Sequence, residues 1–234
     1  MHTARISTPH TNTANGNSIE ESLSELEAMN ASSCKEYIVK PAQRSEIREF
    51  IEKWHYSHNI NGLMSNYCFA MYYKDTMIGA MIYGHMAMAN QWRKYGKSPE
   101  DVIELRRLAM IDTTLRNSES YFIGKTIKWL KKNTNIHTIV SYADTFYGHK
   151  GIIYEASNFT KVGKSSAGRV IMFNGKHYHD KTIRTTYKGK LKPFAKRVKD
   201  ALDSGEAYYV KTPGKNIYVY TLIPDSMNTA LVNQ

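Results

Sequence analysis

The strongest constraint on how this chain folds is a pair of apolar runs, Tyr67–Tyr73 and Met77–His85, separated only by Lys74-Asp75-Thr76. Two such runs around a short polar break read as a β-hairpin. Neither run alternates polar with apolar residues, so both faces of the hairpin have to be covered. A sheet with layers on two sides follows. Both runs fall far short of the roughly 18 apolar residues that a membrane helix needs, so no membrane partner is expected.

Around the hairpin, helical and strand periodicities alternate. Tyr37–Val39 reads as a short strand closed by Pro41, and Ser45 as the N-cap of a helix whose Ile47, Phe50, Ile51 and Trp54 share one face. That helix runs out at His55-Tyr56-Ser57-His58. Ala89–Asp101 reads as a loop, and Val102–Ile111 as a strand interrupted by Glu104, Arg106 and Arg107. A charge inside a strand is costly unless it is paired or faces a cavity. Ser118–Lys132 is a helix after a polar turn, and Ile136–Tyr142 a further strand. Gly148–Ser157 reads as a short helix with Ile152, Ile153 and Ala156 inward. Val170–Phe173 and the stretch from Tyr178 give more strands. Phe194, Val198, Ala201 and Leu202 mark an apolar helix face, and Ile217–Leu222 is a last strand. Helices interleaved with strands predict an α/β (α+β) fold around a mixed sheet.

The 234 residues suit one compact domain with an arm. Residues 1–33 read as a flexible, polar and acidic arm, residues 34–224 as the folded domain, and residues 225–234 as a tail. A strongly basic segment covers about residues 188–203. Cys34 and Cys68 alone exclude a disulfide framework and an all-cysteine metal site. Arg5 is followed by polar residues rather than the apolar segment of a secretory signal, so a cytoplasmic protein is expected.

Thirty-two Lys and Arg against 21 Asp and Glu give a net charge of +11. The arm opposes Arg5 to Glu20, Glu21, Glu25 and Glu27, so the rest of the chain is more basic still. Neutralising phosphates releases condensed counterions, which makes nucleic acid the first candidate partner. Solubility without a specific partner accounts for the charge equally well.

Several groups of residues carry candidate chemistry. Arg106-Arg107, read at a strand end before a helix N-terminus at Ser118–Tyr121, resembles an anion site, or a structural pairing with Glu104 or Glu119. Asp144, after Ser141-Tyr142-Ala143 at a strand end and before a helix read as starting at Gly148, suits a general base, or simply a cap. His55 and Tyr56 suit base stacking or proton transfer, or packing. His177-x-His179-Asp180 lacks a clear third metal ligand, and no metal is expected. Arg169, Lys176, Lys181, Arg184, Lys188, Lys190, Lys192, Lys196 and Arg197 interleave with His177, Tyr178 and Tyr187, as a nucleic-acid surface requires and as a solvated basic face also permits.

Taken together, certain segments resemble the Mom family of bacteriophage DNA-modification enzymes, whose fold is similar to that of the GNAT acyltransferases. The resemblance rests on Trp54-His55-Tyr56, on Glu104-Leu105-Arg106-Arg107-Leu108 with Asp112, and on Arg116-Asn117-Ser118-Glu119-Ser120-Tyr121-Phe122-Ile123-Gly124. It continues through Ser141-Tyr142-Ala143-Asp144 and Gly148-His149-Lys150-Gly151-Ile152-Ile153-Tyr154-Glu155-Ala156-Ser157-Asn158-Phe159, with a weaker echo in Gly214–Tyr220. It covers the chain from about Tyr37 to Leu222, leaving out the arm.

The resemblance implies a GNAT-like catalytic domain with a mixed, mostly antiparallel central sheet flanked by helices. It also implies a transferase that attaches a carbamoylmethyl group to adenine N6 in DNA and so protects phage DNA from restriction. Its catalytic positions fall on Asp144, Arg107, Tyr56, His55 and Tyr154, and its donor-binding positions on Ser120, Arg116, Asn117 and Ser118. GNAT enzymes hold the coenzyme A pyrophosphate with a loop of the form R/Q-x-x-G-x-G/A. The corresponding Leu115–Ser120 contains no glycine, so amides approach a pyrophosphate less freely. The donor is therefore left open between an acyl-CoA type and another activated glycyl or acyl compound. DNA is the expected partner, and homodimerisation stays open. The competing expectations are a GNAT-like acyltransferase acting on a small amine or protein, and a non-catalytic DNA-binding protein.

Overall fold

A computed structural model describes residues 30–88 and 90–222. Residues 1–29, which include most of the expected arm, and the expected tail at 225–234 lie outside the described residues. Ala31 is buried and Ser33 caps a 3₁₀ turn at Cys34–Glu36, so residues 30–33 belong to the folded part. No described helix is long and apolar enough to cross a membrane.

The described residues divide into two compact units, one of 30–88, 90–142, 151–162 and 217–222, the other of Ala143–Lys150 and Gly163–Asn216. In the first, strands β1 (Ile38–Ala42), β2 (Tyr67–Tyr73), β3 (Thr76–Gly84), β4 (Val102–Met110), β5 (Thr138–Ala143), β6 (Thr160–Lys164) and β12 (Asn216–Thr221) form one sheet. Its order is β1-β2-β3-β4-β5-β12-β6. Pairing is antiparallel from β1 to β4 and parallel between β4 and β5, so the fold is α/β with the expected mixed, mostly antiparallel sheet.

The hairpin β2–β3 is covered on both faces. Helix α1 (Arg44–Trp54) lays Ile47 and Ile51 against Cys68, Ala70, Ala80, Ile82 and Ala109. The other face meets helix α2 (Ser118–Asn133), where Thr126 shares a 2.7 Å hydrogen bond with Tyr83 and Trp129 packs edge-on against Phe69. Burying these apolar side chains is worth about 1.5–3 kcal/mol each, an upper bound because the unfolded chain is itself partly compact.

Several boundaries differ from the sequence expectations. Pro41 lies within β1 rather than closing it, which an edge strand tolerates because no neighbour needs its missing N–H. Helix α1 starts at Arg44 with Gln43 as N-cap, because Glu46 reaches back to the Gln43 amide. Helix α3 is a single turn, Ile152–Glu155, entered from Gly151, while Gly148 ends a 3₁₀ turn at Thr145–Tyr147. The later start turns Ile152 and Ala156 outward and buries Tyr154 and Ser157 instead.

The second unit has its own core of Ile171, Phe173, Val198, Ala201 and Ala207. It contains β7 (Gly168–Phe173), β8 (Lys176–His179), the short hairpin β9 (Thr186–Tyr187) and β10 (Lys190–Leu191), helix α4 (Pro193–Ser204) and β11 (Tyr208–Thr212), with sheet order β11-β7-β8. It holds fourteen Lys and Arg against five Asp and Glu, so most of the chain's excess positive charge lies here.

Candidate active site

Within the first unit, Arg44 pins the loop that leaves α1. Its guanidinium donates to the carbonyls of Ile60 and Leu63, and to the Ser65 hydroxyl at 3.1 Å. That loop opens with His55 and Tyr56. His55 Nδ1 accepts the Ser57 amide at 3.1 Å, so in the neutral ring Nε2 carries the proton. The Ser57 hydroxyl lies 2.8 Å from the same nitrogen and donates to it. His55 is buried, with its ring 4.3 Å from that of Tyr56, which is 39% exposed.

Strand β4 carries the charges. Its register with β3 passes from Ile82↔Arg107 to Tyr83↔Leu105, so Arg106 is an extra residue in a β-bulge. Arg107 stands opposite Ile82, whose side chain belongs to the α1 face, and Glu104 stands opposite Gly84 on that same face. Arg106 Cδ lies 3.0 Å from where a Cβ on Gly84 would be, so Arg106 is turned to that face as well. The arginines are thus in the strand interior, not at its end as the sequence suggested.

The parallel pairing with β5 covers only Val102↔Thr138 to Leu105↔Ser141, while β4 continues to Met110. The two strands therefore part at the bulge. At the parting, the Ser141 hydroxyl donates to the Leu105 carbonyl at 3.3 Å and also meets the Tyr154 phenol. Burial pushes that phenol up to about 12 against the opposing Ser141 hydrogen bond. The Tyr154 ring packs against Phe159 and Tyr218, so Tyr154 offers a hydroxyl and Tyr56 an accessible ring. Burial lowers the Arg107 pKa from its usual value, with Tyr56 and Glu104 acting the other way. Glu104, buried and accepting the Ala87 amide at 3.1 Å, was not among the expected site residues. In the sequence it stands as a carboxylate inside an apolar strand, a pairing partner for the arginines and the start of the Glu104-Leu105-Arg106-Arg107-Leu108 segment.

The donor-binding expectation falls at the start of α2. Asn117 has φ 70° and caps the helix, and Arg116 and Asn117 are exposed. Ser118 is buried with its hydroxyl donating to the Leu115 carbonyl, so its side chain serves the turn. The Ser120 hydroxyl donates to the Asn117 carbonyl at 3.0 Å. The Glu119 and Ser120 amides, in the first turn, have no intrahelical acceptor.

In the second unit, Asp144 is 8% exposed and directly follows β5. Its Oδ1 accepts the Phe146 amide at 3.2 Å, and Oδ2 lies 2.8 Å from Lys215 Nζ. Asp144 is thus both the cap of a 3₁₀ turn and half of an ion pair. Burial lowers the His149 pKa beside it, with Asp144 opposing and Lys215 adding to the shift. All nine expected DNA-contacting cations are exposed. Arg169 and Arg184 both pair with the buried Asp180, and Arg197 lies over the rings of Phe173 and Phe194.

A mixed sheet whose strands part at a bulge, lined by arginines, a glutamate and tyrosines, defines an α/β protein with a polar site on its sheet. The chain belongs to the Mom protein family, which it matches over residues 36–233. It is 28% identical over 116 residues to the methylcarbamoylase mom of Escherichia phage Mu, covering 48% of this chain and 48% of that protein. The chain thus spans about half the length of the curated relative it matches. Among solved structures, a variant of the spermidine N-acetyltransferase SpeG from Vibrio cholerae aligns with a TM-score of 0.46 and 8% identity, over 80% of this chain and 95% of that one. Arabidopsis thaliana NAA60 with acetyl-CoA aligns with a TM-score of 0.45 and 12% identity, over 80% of this chain and 98% of that one.

Proposed function

We propose that this chain is a DNA-modifying transferase that attaches a carbamoylmethyl group to the exocyclic N6 of adenine. The observation that carries the reading is the Mom family match along residues 36–233. The exposed cations of the second unit support DNA as the partner.

The chemistry sets the tasks. Adenine N6 is a weak nucleophile because its lone pair is delocalised into the ring, and base pairing hides it. The base is flipped out, or taken from a single strand, at a cost of a few kcal/mol. Tyr56 supplies the accessible ring for stacking on it. The N6 lone pair forms the new N–C bond while the donor's bond to its leaving group breaks, and the leaving group keeps that electron pair. The family resemblance gives the acceptance of the N6 proton to the Asp144 carboxylate, which pairs with Lys215. Arg107 holds an anionic part of the donor on the α1 face, and the first-turn amides of Glu119 and Ser120, with Arg116 and Asn117 beside them, offer hydrogen-bond donors to a separate part of it. The Tyr154 hydroxyl, kept protonated by burial, serves as a hydrogen-bond donor, and His55 orients Tyr56 through ring contact.

The test is mass spectrometry of nucleosides from the DNA of cells expressing the protein. A new deoxyadenosine adduct with the mass of a carbamoylmethyl group is expected, together with its loss in Asp144→Asn and Arg107→Gln. Unmodified deoxyadenosine in cells that make folded protein rejects the reading. A full adduct level in Asp144→Asn rejects the role of that carboxylate.

A further inference from the structure

The proposed reaction leaves Arg106 unused, although the bulge turns it to the same face of β4 as Arg107. Among the described residues, each guanidinium group uses one nitrogen. Arg106 Nη1 donates to the His85 carbonyl, and Arg107 Nη1 to the Arg106 carbonyl, each at 2.7 Å. The Nε of each is buried with no hydrogen-bond partner among the described residues, as is Nδ1 of His85. Neither arginine forms a salt bridge among the described residues.

The unused edge has a definite shape. Nε–H and Nη2–H point the same way and grip a carboxylate or phosphate through two parallel hydrogen bonds. Two half-buried guanidinium groups turned to one face and repelling each other are unfavourable unless an anion answers them, and Glu104 on the same face supplies one negative charge. One positive charge is left over. We propose that Arg106 and Arg107 form a two-pronged site for one small oxyanion, a carboxylate or a phosphate group carried on a ligand. Glu104 sets its charge preference, disfavouring multiply charged anions by repulsion. Arg106 is then a binding residue equal to Arg107, and Lys cannot replace it because an ammonium lacks the planar fork.

The site is read out by binding, without DNA or a group donor, so it stands or falls separately from the proposed reaction. The purified full chain is titrated with sodium acetate, inorganic phosphate and pyrophosphate, each at constant ionic strength, and melting temperature and heat of binding are recorded. Saturable binding of acetate or phosphate is expected, with pyrophosphate no tighter than phosphate. The preferred anion tells a carboxylate from a phosphate ligand. Arg106→Gln and Arg106→Lys, with folding checked by circular dichroism, should each weaken binding at least about tenfold. No saturable binding of any of the three anions, or unchanged binding in folded Arg106→Lys, overturns the proposal.

Discussion

Tyr154 shows how much one side chain's surroundings decide. Burial moves its ionisation from 10.0 up to about 12, and Tyr83 and Tyr142 are pushed up for the same reason. Between those limits the folded protein keeps a proton that the unfolded chain releases. The stabilisation is therefore complete below pH 10.0 and is lost as pH rises towards about 12. Thermal melts taken from neutral to strongly alkaline pH should show a melting temperature that declines above pH 10.0, and Tyr154→Phe should make that decline shallower. An identical alkaline limb in the variant would remove Tyr154 as a cause. At this scale the sequence names candidates and leaves their presentation open. His55, Tyr56, Arg107 and Asp144 stand in it as an ordered set of proposed site residues, but that Tyr154 shows a hydroxyl and Tyr56 a ring depends on burial. The partnership of Asp144 with Lys215 joins residues far apart in the chain, and no local pattern announces it.

Among the elements, the hairpin β2–β3 was the most legible because uninterrupted apolar runs leave a strand no exposed face. The bulge in β4 was not legible. Glu104-Leu105-Arg106-Arg107 fits a regular strand as well as a bulged one, and only the pairing with β3 decides. The entry to α3 was misplaced because Gly148 and Gly151 are both competent to take positive φ. Gly151 has the more demanding position, with φ 87° and a Cβ that would fall 2.3 Å from the Tyr218 ring. Gly205, after α4, has φ 84° but nothing within 4 Å of its Cβ. Gly205→Ala should therefore cost about 1 kcal/mol from backbone strain, and Gly151→Ala about 2–4 kcal/mol from strain and overlap together. Urea denaturation of the two variants checks the difference, and equal costs would mean that the Tyr218 ring yields freely.

For the whole molecule, composition revealed the positive charge but not its partition. Residues 163–216 gather cations from β7 to β11; those from Arg169 to Arg197 stood out in the sequence, but not that they share one compact unit. Replacing Lys190, Lys192 and Lys196 with Ala should weaken DNA binding at low salt and flatten the plot of log affinity against log salt by roughly 2–3 in slope. The same change at Lys40, Lys125 and Lys128, exposed cations of the first unit, should leave the slope nearly as it is. Filter-binding or fluorescence titrations over a range of salt concentrations measure both, and equal slopes in the two triple variants would disperse DNA contact over the whole surface.

The two strands flanking this cationic excursion, β6 and β12, are hydrogen-bonded neighbours in the large sheet. A stretch that leaves and rejoins a sheet at adjacent strands can lengthen, shorten or be swapped without rethreading any other strand, and each doubling of its length adds only about 0.6 kcal/mol of closure entropy. Evolution can thus retune the positive charge of the chain by editing one insertion, while the bulged strand and its arginines keep their register.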